Sequence, residues 1–135
     1  MKRFFVLLIT SCMLLSCSSD ENAGYRLEIL PVESYIVPQS FVFQDTYVIK
    51  LYFNRPTTCH ALQGIYFHSV DNVRTIAVQS SVSMQDFCQT FSGEPYETSF
   101  NFYVTSMEPY VFRFYKGKDE NNNDIYEIVE IPVTF

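Results

Sequence analysis

The sequence predicts an all-β protein, an immunoglobulin-like antiparallel β-sandwich of about seven strands, with a small closed β-barrel as the alternative. Three observations carry that prediction. Apolar residues recur at every second position in almost every segment from residue 25 onward, aromatic and β-branched residues dominate those positions, and turn-forming residues separate the segments. Six prolines fall at or near the segment boundaries, where a missing amide donor does least damage to a sheet.

Tyr25, Leu27 and Ile29 open the pattern as an inward-facing set. Tyr47, Ile49, Leu51 and Phe53 follow, then Ile65 and Phe67, then the alternating stretch 73–82. Phe100, Phe102 and Val104 form the next set, followed by Tyr110, Phe112 and Phe114, and finally Val129, Ile131 and Val133. Residues 84–91 have room for one helical turn. The run Tyr110-Val111-Phe112-Arg113-Phe114-Tyr115, a polar loop and 125–133 read as the last hairpin, the F–G pair of a sandwich, with Tyr110 placed to act as a tyrosine corner. Residues 25–135 suffice for one hydrophobic core and not for two, and no internal repeat divides them.

The first 16 residues differ in character. Lys2 and Arg3 precede an apolar run over 4–15, too short to span a bilayer, which needs about 20 apolar residues. The run ends in Leu14-Leu15-Ser16-Cys17, which resembles the lipobox of bacterial lipoprotein precursors. That resemblance implies cleavage before Cys17 and acylation, palmitate included, of that cysteine. Ile9-Thr10-Ser11-Cys12 fits the same pattern more loosely and would leave an apolar core of only 4–9. Ser18-Ser19-Asp20-Glu21-Asn22 resembles the acidic tether of surface-exposed lipoproteins of the Bacteroidetes. The expected organisation is a cleaved signal peptide over 1–16, a flexible tether over 17–24 and a β-sandwich domain over 25–135, held at the outer membrane by lipid.

With Lys2 and Arg3 removed, seven basic residues face fifteen acidic ones, a net charge of −8. That balance disfavours nucleic acid and anionic head groups as partners. Cys59 and Cys88 are then the cysteines left besides the lipid-bearing one, and an even pair in an oxidising compartment predicts a disulfide.

Candidate chemistry is sparse. Asp119, Asn121, Asn123 and Glu130 match positions 1, 3, 5 and 12 of a calcium-binding loop, but Asp124 stands where glycine is needed and the flanks read as strands. A polar hairpin loop is the expectation. Cys59, His60, His68 and Cys88 comprise zinc-type ligands without paired ligand spacing, so no metal is expected. No nucleophile motif, metalloprotease motif or phosphate loop occurs, and carboxylate pairs such as Glu94 with Glu97 or Glu127 with Glu130 read as solvated charge. No enzyme activity and no cofactor are therefore expected.

Binding is the remaining expectation. Taking the alternate residue of each strand places Tyr66, His68, Arg113, Tyr115 and Tyr126 outward on one sheet, and Lys50, Tyr52, Asn101 and Tyr103 outward on the other. Tyrosine offers rigid contact area with a polar tip, suited to a protein partner or a sugar ring. The expected role is a non-catalytic accessory or binding subunit of an outer-membrane assembly, with surface carbohydrate recognition as the alternative.

Overall fold

The structure is a computed structural model that describes residues 24–85 and 87–135. The signal peptide, Cys12, Cys17 and the tether up to residue 23 lie outside the described residues. The fold is a β-sandwich, none of whose sheets closes into a barrel.

Ten strands follow one another: β1 (Tyr25–Leu30), β2 (Ser34–Ile36), β3 (Phe41–Val42), β4 (Thr46–Phe53), β5 (His60–Val70), β6 (Val73–Ser83), β7 (Tyr96–Tyr103), β8 (Tyr110–Lys118), β9 (Asp124–Ile131) and β10 (Val133–Thr134). Seven of them have six residues or more, and β2, β3 and β10 are short additions. Strands β2, β4 and β7 form one antiparallel sheet. On the other side, β5 pairs with one edge of β6, whose opposite edge is shared by β1 and β8, and β9 closes that sheet.

Two pairings depart from the antiparallel expectation. Residues Val73 to Ile76 run parallel to Val111 to Phe114. The two-residue turn at Asp71 and Asn72, with Asp71 in the left-handed region, makes β5 and β6 a tight hairpin, and β6 meets β8 along the edge that β5 leaves free. The second parallel pair joins β3 to β10, with the Phe41 amide donating to the Pro132 carbonyl at 2.8 Å and the Phe43 amide to the Thr134 carbonyl at 2.9 Å.

The core follows the alternation. Ile49, Leu51 and Phe53 from β4, Phe102 from β7, Tyr110, Phe112 and Phe114 from β8 and Ile131 from β9 are all buried, and Phe41 packs among Tyr47, Phe102, Tyr110 and Phe112. Each such side chain contributes roughly 1.5–3 kcal/mol by leaving water. Tyr110 makes the tyrosine corner: its hydroxyl accepts the amides of Thr105 at 3.1 Å and Ser106 at 2.9 Å from inside the core.

Three local expectations are corrected. β1 has the opposite phase: Tyr25, Leu27 and Ile29 are exposed and Leu30 points inward. At that end the interior is polar, because Glu28 turns in to meet His60 at 3.1 Å, and the alternation is set by that partner. Phe67 on β5 is half exposed, since β5 is an edge strand; its ring packs against that of Phe100 at 5.6 Å. No helical turn forms among the described residues of 84–91; Thr90 instead makes an antiparallel bridge to Thr57, fastened by the Cys59–Cys88 disulfide.

Candidate binding face on the five-stranded sheet

The site grows from the register of the five-stranded sheet. Tyr66 lies opposite Ala77 and His68 opposite Thr75; Thr75 lies opposite Arg113, and Tyr115 opposite Tyr126. Because side chains alternate across a strand, all of these share the outward face. The five side chains expected to gather on one sheet therefore do so, with β6 between them contributing only the small Thr75 and Ala77. Large rings on both sides of small residues leave a hollow. It measures about 360 Å³ and is open to solvent, with Thr75 and Ala77 beneath and Ile29, Tyr66, Tyr115 and Tyr126 around it. Ala77 is 2% exposed although it faces outward, which shows how closely the rings shelter the floor.

The rim is charged. Lys118 and Asp124 pair at 2.7 Å across the mouth of the last hairpin. The Asp124 hydrogen bond holds the Lys118 ammonium above its ordinary pKa. Burial, and then the Asp124 charge, raise the Tyr115 phenol above its ordinary pKa. The Arg113 guanidinium sits 4.2 Å from the centre of the Tyr126 ring, and the rings of Tyr115 and Tyr126 lie 5.9 Å apart. Ring packing and the Arg113 cation–π contact limit the rotamers of two groove residues, Tyr115 and Tyr126, before any partner arrives. His68 stands beyond Thr75 in a second shallow hollow shared with Val70, Val73 and Arg113.

The bulge between Tyr115 and Gly117 sets the end of this face. Gly117 has φ +106°, a conformation that L side chains rarely adopt, and the irregularity lets Lys118 return to register opposite Asp124. The reversed phase of β1 adds Leu27 and Ile29 to the same face, and β9 adds Ile128, opposite Arg113. Sequence reasoning missed Leu27 and Ile29, because the phase of β1 depends on Glu28 finding His60; Ile128 follows from the inward setting of Val129 and Ile131 but was not singled out.

The outward face of the three-stranded sheet has another character. There Glu97 accepts a hydrogen bond from Tyr52 at 2.8 Å and pairs with Lys50 at 3.1 Å. These two contacts, the Tyr52 bond first, hold the Glu97 carboxyl below its ordinary pKa. Polar groups that satisfy one another leave less for a partner than the groove does.

The remaining candidates have structural roles. Asp119 Oδ1 accepts the amides of Asn121 at 2.8 Å and Asn123 at 2.9 Å, and Oδ2 accepts the Asn123 side-chain amide at 3.2 Å. Its carboxylate thus closes the hairpin loop upon itself, while Glu130, opposite Val111, is at the other end of the extended β9. Cys59 and Cys88 form the expected disulfide, which removes both thiolates from any zinc set.

His60 is 4% exposed, with Nε2 3.1 Å from Glu28 Oε2 and Nδ1 2.8 Å from Thr57 Oγ1. A carboxylate only accepts, so Nε2–H donates to Glu28, which in the neutral imidazole leaves Nδ1 to accept the Thr57 hydroxyl. The order carboxylate, imidazole, hydroxyl is that of a nucleophile and its base. However, Thr57 Oγ1 already accepts the Cys59 amide, and the amides of Thr58 and His60 are spent on Gln89 and Thr57 carbonyls. The chain ties β1 to the start of β5 and presents no free donor set for an oxyanion.

No protein-family model, curated protein or solved structure matches this chain.

Proposed function

We propose that this chain is a lipid-anchored cell-envelope protein that acts by binding, as a non-catalytic accessory subunit of an outer-membrane assembly. The contact surface is the outward face of the five-stranded sheet. One observation carries this reading: Tyr66, Tyr115 and Tyr126 from three strands surround a single groove, on a face where Leu27, Ile29 and Ile128 are also exposed. Contiguous apolar surface rimmed by charge is the usual composition of a contact surface, and tyrosines in a hollow act as its anchors. The lipid on Cys17 rests on the lipobox-like sequence before it.

The test is capture of partners in mild detergent with a tag after Phe135. Y66S/Y115S is compared with Y52S/Y103S on the opposite face. Specific partners should disappear only with the first pair, weakening at least tenfold, or about 1.4 kcal/mol. Equal recovery with both variants would sink the proposed face.

A second reading is favoured by the shape of the groove. Three phenol rings with a Lys118–Asp124 pair at the rim suit a sugar ring, whose C–H faces stack on aromatics and whose hydroxyls reach charged groups. Glycan-array binding by the wild type, lost in Y115S, would select this reading over a protein partner.

A further inference from the structure

We infer that the disulfide-fastened loop around Phe87 is a second membrane contact, inserting into the lipid interface beside the acyl anchor. The inference rests on the reading that Cys17 carries lipid. Met84 and Phe87 are 64% and 90% exposed, among the most exposed large apolar side chains of the described residues, and Tyr25 beside them is also exposed. Burial within the domain does not account for them.

Their position identifies what covers them. The Met84 amide donates to the Gly24 carbonyl at 2.8 Å, so this loop leaves the domain where the tether joins it. Seven residue steps separate Cys17 from Gly24, which limits the tether to about 25 Å when fully extended. A domain held that close has its Gly24 end facing the bilayer.

That end is also built to hold an exposed loop in place. Cys88 is bonded to Cys59, the Thr58 amide donates to the Gln89 carbonyl at 2.8 Å, and the Arg55 guanidinium lies 5.4 Å from the Phe91 ring and 5.2 Å from that of Tyr96. Phe87 is therefore presented on a fixed base. Aromatic and thioether side chains at such a place partition into the region between head groups and acyl chains.

The chain has no tryptophan, so F87W introduces a single fluorescent reporter at an exposed position. V70W does the same at the distant turn between β5 and β6, where Val70 is also exposed. Both full-length proteins are purified with their lipid, placed in zwitterionic phosphatidylcholine vesicles containing brominated acyl chains, and Cys17 is examined by mass spectrometry. With lipid on Cys17, emission from F87W should shift to shorter wavelength and fall roughly twofold, as expected for 5–10 Å of burial, while V70W stays unchanged. Lipid on Cys17 with equal, unquenched emission from both proteins overturns the loop contact and leaves the anchor standing. An unmodified Cys17 overturns the anchor, and this inference with it.

Discussion

The Tyr110 hydroxyl and the Asp119 carboxylate each hold a loop by accepting two backbone amides, one from inside the core and one in water. Y110F keeps the ring and leaves the Thr105 and Ser106 amides without their acceptor; it should cost about 1–2 kcal/mol in urea unfolding, with an unchanged m-value. Asp119 behaves differently because its effect depends on charge. The amide of Asn123, then its side chain, hold the Asp119 carboxyl below its ordinary value of 3.8. A carboxylate with a depressed pKa in the folded state adds stability that is present above its unfolded value and is lost as pH falls through the folded one. The hairpin tip should therefore loosen below about pH 3.8, and D119N should remove that pH dependence, as followed by amide NMR of Asn121 and Asn123. Both roles were differently legible in the sequence. Tyr110 stood at the start of a predicted F strand and was readable there, whereas His60 gave no sign that it would face Glu28, 32 positions earlier.

Among the elements, the strands with a dry inner face were readable and those without one were not. β4, β7, β8 and β9 place the alternate apolar residues inward because the opposing sheet covers them. β1 carries the same alternation, Tyr25, Leu27 and Ile29, yet turns it outward, since hydrophobic period fixes which residues share a face and not which face is covered. That ambiguity bears on the candidate site: the five residues from β5, β8 and β9 were legible, and the contribution of β1 to the same surface was not. Parallel pairing of β6 with β8 was likewise invisible, because strand order is a property of the whole sheet. Among its described residues, the segment between β6 and β7 has no sheet partner beyond one bridge, so its covalent fastening to Cys59 matters more. C59S/C88S should lose about 3–4 kcal/mol, the chain-entropy value for a loop of 29 positions, measured by denaturant unfolding under identical buffer conditions.

At the scale of the molecule, the two outward faces differ in character. On the three-stranded sheet Glu97 ties up Lys50 and Tyr52, and the five-stranded sheet leaves a groove open. Substitutions on the first should leave the proposed partner capture intact and change stability little, since solvent screens exposed ion pairs. K50A with E97A is the comparison, read by both partner capture and melting. The clasp of β3 against β10 has a consequence of another kind, one of timing. The Thr134 hydroxyl reaches the Phe41 carbonyl across 93 positions of chain, and the amide of Phe41 waits for the carbonyl of Pro132. A polypeptide delivered in order, from a ribosome or through a secretion channel, can make its hairpins early but cannot fasten Phe41 until those late residues have emerged. The long strands between them are then already out while this clasp is still missing, so Phe41 stays unfastened until residues 132–134 follow.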